Sequence, residues 1–149
     1  MKLEDVSHAV TGEIHLEVRR DNKTIAEFND HNLVVDAGRK RLAALAAGQV
    51  GNYVESYISH IGLGSGSNEE TINDTSLENQ QLFPLTSIEV DGRDVKCNFF
   101  IADSEAIGLS IRELGLFCAD GTMFSHRVRQ GVIQKYEDIE LKGFWILHF

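Results

Sequence analysis

Glu13-Ile14-His15-Leu16-Glu17-Val18-Arg19 is the stretch on which the fold turns. Ile14, Leu16 and Val18 take every second position, and Glu13, His15, Glu17 and Arg19 fill the gaps. That is the period of a strand with one dry and one wet face. Asp21-Asn22 then interrupts, and Thr24 to Phe28 resumes, so the segment reads as a β-hairpin. A strand region is expected from His8 to Phe28.

The same grammar recurs downstream. Val95, Cys97, Phe99 and Ile101 alternate with Lys96, Asn98 and Phe100, behind Ile88, Val90 and the turn dipeptide Asp91-Gly92. Asp120-Gly121 plays the same part between Leu114–Cys118 and Thr122–Val128. Three hairpins predict a mainly β chain, an antiparallel β-sandwich. One short helix is expected over residues 36–47. Asp36 is its predicted N-cap, Gly48 its stop, and Leu42, Leu45 and Ala46 the face that docks on a sheet. Arg39, Lys40 and Arg41 read as a solvated face, with contact to an acidic neighbour as the alternative.

Two segments break the alternation. In Gly108 to Phe117, Leu109 and Ile111 set one phase and Leu114 and Leu116 the other, which predicts a β-bulge at Arg112-Glu113. In the last strand Ile139 and Leu141 alternate with Glu140 and Lys142, but Phe144, Trp145, Ile146, Leu147 and Phe149 are apolar on both faces. Such a strand is buried on both sides. It is either a central strand of the core, or Phe144 and Ile146 belong to a subunit interface.

At 149 residues, with 42% hydrophobic and 25% charged, the chain suits a single domain, 1–149, able to bury its own core. A balance of 14 basic to 23 acidic residues, formally −9, repels phosphate backbones and argues against nucleic-acid binding. The opening Met1-Lys2-Leu3-Glu4-Asp5 lacks the apolar run of a secretion signal, and no stretch is long enough to span a bilayer. Folding in a cytosol without membrane insertion is expected. Cys97 and Cys118 lie in apolar strands and read as buried thiols, with one bridge between them as the alternative.

The sequence offers little chemistry. Gly62-x-Gly64-x-Gly66 has neither the spacing of a nucleotide fingerprint nor a following Lys-Ser or Lys-Thr, and Glu69, Glu70 and Asp74 would repel an anion. Those acids with Asn73 match no calcium loop and read as a solvated acidic loop. His8, His15, His31, His60, His126 and His148 show no i, i+4 pair of the zinc kind. Ser125 and His126 point to opposite strand faces and make a poor nucleophile–base pair. Phe124, Arg127 and Arg129 read as core packing and solvated arginines. No catalytic, cofactor or metal residues are expected, and the chain is read as a non-enzyme.

Three segments in order carry a resemblance: Asn32-Leu33-Val34-Val35-Asp36-Ala37-Gly38; His60-Ile61-Gly62-Leu63-Gly64-Ser65-Gly66 with Asn73-Asp74-Thr75-Ser76-Leu77; and Ile111-Arg112-Glu113-Leu114-Gly115-Leu116-Phe117 with Asp120-Gly121-Thr122-Met123-Phe124-Ser125. Together they resemble bacteriophage tail and tail-fibre-associated proteins, in particular the N-terminal virion-attaching domain of tail-collar fibre proteins. The resemblance implies a virion structural protein assembled in the host bacterial cytoplasm. Its partners would be other tail, baseplate or fibre subunits, and it would form a homo-oligomer, a trimer or ring. It implies no catalytic residue.

The chain departs from that pattern in ending at Phe149, where a fibre continues, and in its extra N-terminal strand region. Both favour an adaptor, baseplate or decoration role. Arg112, Glu113, Phe144 and Ile146 are the candidate assembly interface, with an internal Arg112–Glu113 ion pair as the alternative for the first two. Competing functions are a capsid decoration or head–tail joining protein, and a carbohydrate-binding adsorption module using Tyr53, Tyr57 and Tyr136.

Overall fold

The computed structural model describes residues 10–149. The strands are β1 (Thr11–Arg20), β2 (Lys23–His31), β3 (Leu33–Val34), β4 (Ile58–Gly64), β5 (Gln81–Pro84), β6 (Ser87–Asp91), β7 (Asp94–Ile101), β8 (Ser110–Cys118), β9 (Met123–Gln134) and β10 (Ile139–His148). The helices are α1 (Asp36–Ala46) and α2 (Tyr53–Ser56). The strands form two antiparallel five-stranded sheets, β2-β1-β10-β7-β6 and β3-β9-β8-β4-β5. These face each other across a shared core, the β-sandwich that the alternation predicts. The first expected strand is seen from Thr11; His8 lies outside the described residues.

Turn chemistry sets the hairpins. Asp21 and Asn22 both take positive φ, 51° and 60°, the geometry of a two-residue turn whose twist matches its strands. Gly92 at φ 60° opens the β6–β7 turn, which centres on Gly92-Arg93 because Asp91 pairs with Asp94. Gly121 at φ 90° closes the β8–β9 turn. From β1 the inward set is Ile14, Leu16 and Val18, all buried. They meet Trp145, Leu147 and Phe99 from their own sheet, and Ile61, Leu63, Leu116 and Phe124 from the other. Burying each of these side chains contributes roughly 1.5–3 kcal/mol.

The ends of α1 differ from expectation at one side only. Val35 is the N-cap and supplies no side-chain bond, while Asp36 lies in the first turn, where the helix dipole favours its charge, 3.1 Å from Lys40. At the other end Gly48 turns left-handed at φ 66°, and the Gln49 N–H reaches Ala44 O at 2.8 Å. That is the Schellman closure. Gly38 fits α1 tightly onto β9: a Cβ there would lie 2.9 Å from Phe124 Cα. Leu42 packs against the core, whereas Ala46 is exposed and takes no part in the docking face. The four-residue α2, capped by Asn52 onto the Val54 N–H at 3.1 Å, has no counterpart in the sequence reading.

The irregularity at Arg112-Glu113 is present. Ile111 pairs with Ile133 but Glu113 with Val128, so two steps along β8 span five along β9. The irregularity falls in β8 where expected, between Ile111 and Glu113, and β9 adds extra residues opposite it around Gly131 at φ 80°. Its effect is the predicted one: Leu109, Ile111, Leu114 and Leu116 all enter the same core.

β10 is the middle strand of its sheet, which explains its double apolar character. Ile139, Leu141, Trp145 and Leu147 face inward and are buried, while Phe144 and Ile146 face outward and are half-buried.

Candidate functional site

The outer face of the β3-β9-β8-β4-β5 sheet is built from absent side chains. Gly62, Gly64 and Gly115 leave it bare, and the Phe117 ring occupies the space a Cβ on Gly62 or Gly115 would need. Onto this surface folds the 65–80 segment, pinned by Leu77, which packs with Phe117, Val35 and Met123 in a second small core. A Cβ at Gly64 would stand 2.7 Å from Leu77 Cβ and 2.8 Å from Glu113 Cγ.

Beneath the segment lies a clasp. Glu113 Oε2 accepts from the backbone N–H of Gly66 and, at 3.1 Å, of Glu78; Glu113 Oε1 lies 2.8 Å from His126 Nε2. His126 Nδ1 lies 2.7 Å from Asp74 Oδ2, and Asp74 also accepts from the Thr71 N–H and hydroxyl at 2.7 and 2.9 Å. The side chains of His126 and Glu113 are only 6% and 4% exposed, so their charges need this pairing. Both ring nitrogens of His126 thus face carboxylate oxygens, one on the sheet and one on the segment above it. Burial opposes the Asp74 charge, but the Thr71 N–H and the His126 ring outweigh it and hold the carboxyl below its ordinary range.

Glu70 adds a second tie, accepting from Arg127 at 2.9 Å and the Val128 N–H at 3.1 Å, while Arg127 reaches back to Asp30 at 2.8 Å. Glu70 and Asp74 are thus engaged within the chain, a correction to the solvated acidic loop; Glu69 stays exposed.

The four interface candidates separate. Glu113 is buried in the clasp, which takes up its carboxylate within the chain. Arg112 stands half-exposed, with no ion pair to Glu113 among the described residues. Phe144 and Ile146 share the outer face of the other sheet, where Phe144 stacks on His15 at 5.1 Å and carries the Lys96 ammonium 4.4 Å from its centroid.

Arg41 is no solvated cation either. It bonds Asp120 and, at 2.8 Å, the Thr122 hydroxyl, tying α1 to the β8–β9 turn. Burial opposes the Asp120 charge, but Arg41 holds that carboxyl below its ordinary range. Arg129 lies over the Phe28 ring at 4.5 Å. The thiols are free and buried, and burial pushes Cys97 up to about 12 and Cys118 to about 11.

A surface that sequence reasoning missed runs along the β6 edge. Every residue of β6 is exposed, including Ile88 and Val90, whose side chains point toward the core side of the sheet. Tyr53, Val54 and Tyr57 on and beside α2, with Phe149, are exposed too. Between them opens a hollow of about 210 Å³ walled by Leu42, Leu45, Ile88, Val95, Leu147 and Phe149. The available signal was Ile88 and Val90 on a strand with a turn on one side only. Tyr136, the third expected aromatic, is exposed elsewhere, beside Lys135 and Glu137.

Among the described residues no helix is long and apolar enough to cross a membrane. Comparison with models of known families, with curated proteins and with solved structures found no match.

Proposed function

We propose that the chain is a structural subunit of a bacteriophage virion, a tail, baseplate or fibre-attachment adaptor acting through protein–protein contacts without catalysis. The address rests on the three segments that resemble tail-collar fibre proteins. They converge on one unit: the bare glycine face, the segment held over it, and the clasp beneath.

The observation that carries the contact function is the apolar margin at β6. An edge strand offers unpaired backbone groups to another strand, and edges left apolar are open to pairing. Val90 is 73% and Tyr53 72% exposed, and the exposed Tyr57, Ile88 and Phe149 line a hollow sized for an apolar side chain. Aromatic anchors set beside a pocket are what protein interfaces concentrate their energy on. A second copy of the chain is the proposed occupant, giving a trimer or ring. Capsid decoration or head–tail joining would use the same surface at another address. The largely apolar walls of the hollow favour a protein over a sugar, despite the Tyr53 and Tyr57 rings 5.8 Å apart.

Light scattering of the purified chain tests this. A trimer or larger ring is expected, returning to 16.6 kDa in Val90→Lys and Tyr57→Ser with unchanged melting temperature. A wild-type mass of 16.6 kDa at all concentrations contradicts self-assembly. Glycan binding lost in Tyr53→Ala would replace it with adsorption.

A further inference from the structure

The outer face of β2, β1 and β10 arranges its side chains in cross-strand rows. One row sets Asn29, His15 and Phe144 side by side; the next sets Glu17 between Glu27 on β2 and Lys142 on β10. Two carboxylates directly opposite on neighbouring strands repel. The turn alone would not place them so, since continuing its pairing brings Ala26 to Glu17. The shift between Val18 and Arg19 leaves Ile25 outside the pairing and delivers Glu27 instead. The Arg19 guanidinium is 3.8 Å from Glu17, and Glu27 has no ion pair among the described residues.

His15 adds a donor of another kind. Its Nδ1 lies 2.8 Å from Asn29 Oδ1, an accepting oxygen that favours the ring proton on Nδ1 and leaves Nε2 for an ion. Stacking on Phe144 fixes the ring plane. Nε2 faces Glu17, whose Oε1 is 3.8 Å away. One ligand atom from each of His15, Glu17 and Glu27 lies within 4.8 Å of the others.

We infer that His15, Glu17 and Glu27 form a binding site for a divalent transition metal of the zinc type. One neutral imidazole and two carboxylates give the mixed nitrogen–oxygen set that such ions take with water in the fourth position. Small side-chain rotations bring the oxygens to the ~2.0–2.2 Å of a zinc bond. The Asn29 bond to Nδ1 is the outer partner that orients a metal-binding histidine. Calcium and magnesium prefer all-oxygen shells and gain nothing from the imidazole.

His148, on the same face, shows the contrast. Its Nδ1 meets the Asp94 carboxylate at 2.7 Å, where His15 meets a neutral amide oxygen, and its Nε2 faces Glu13 at 3.6 Å. The Asp94 hydrogen bond raises its pKa, which favours holding a proton over a metal.

The test uses the untagged full chain stripped with EDTA, titrated with zinc chloride by calorimetry and with cobalt chloride by visible absorption. One ion per chain is expected, weakened at least ~10-fold in His15→Ala and in Glu27→Gln and unchanged in His148→Ala. In EDTA, Glu27→Gln should melt no lower than the wild type, because it removes the opposed charge and leaves the fold intact. Zinc binding that survives His15→Ala, an equal response to magnesium, or no zinc binding below millimolar each overturns the site.

Discussion

Glu113→Ala should release the 65–80 segment from the sheet. The substitution takes the acceptor from the Gly66 and Glu78 N–H groups and one of the two carboxylates from His126. Buried donors left without partners cost about 1–3 kcal/mol each, and removing one member of a buried ion pair costs about 3–5 kcal/mol. The segment can lift and admit water, so the two costs overlap and the lower end applies, roughly 3–4 kcal/mol. At about 2–4 °C per kcal/mol for a chain of this size, the melting temperature falls by roughly 6–16 °C. Glu113→Gln keeps the shape and one accepting oxygen and should lose about 1–2 kcal/mol. Circular dichroism melts give the global loss, and amide exchange gives its place: Gly66 and Glu78 must exchange faster while the β1–β10 ladder holds. A Glu113→Ala chain within about 1 kcal/mol of wild type refutes the clasp. So does a large loss that leaves the Gly66 and Glu78 amides unchanged.

Gly64→Ala places a methyl against Leu77 and Glu113 and should cost about 1–3 kcal/mol in urea denaturation, while Gly51→Ala, with open space around it, serves as the neutral control. Asp74 and Asp120 titrate below their ordinary value of 3.8, so their contribution to stability is whole above 3.8 and is lost as pH falls through the lower folded values. Asp74→Asn should flatten that acid limb of melting temperature against pH; an unchanged limb counts against the Asp74 contribution. His148 runs the other way. Its raised value makes its contribution whole below the ordinary 6.5 and lost as pH rises through the folded value. Cys97 and Cys118 should resist a thiol reagent at pH 8 in the folded chain and both react in denaturant; neither reacting in denaturant would indicate a bridge.

How much was legible follows from where the constraints lie. Asp21-Asn22 and the Ile14, Leu16, Val18 period are local, and a local constraint can be read from a single segment. The phase conflict between Ile111 and Leu114 located the irregularity in β8, whereas the extra residues opposite it around Gly131 belong to the partner strand and leave no mark on that phase. The 65–80 segment reads as solvated because its contacts are made by Leu77, two acids and backbone groups. The usable signal was on the sheet beneath, where Gly62, Gly64 and Gly115 recur at outward positions and mark a face that something covers. Glu27 was out of reach for another reason. A simple extension of the hairpin places Ala26 beside Glu17, and only the skipped Ile25 brings the second carboxylate round. The β6 margin hid because a strand's neighbours are not written in it, and Ile88 and Val90 read only as the strand leading into the Asp91-Gly92 turn.

Amide hydrogen exchange along β6, compared between dilute and concentrated protein, tests most directly whether this edge is the assembly contact. Protection of the Ser87–Asp91 amides should rise with concentration, together with the mass, while exchange in β1 stays constant. Mass growth with β6 exchange unchanged would place the contact elsewhere. A monomer whose β6 amides exchange at the same rate at every concentration would contradict self-assembly through this edge.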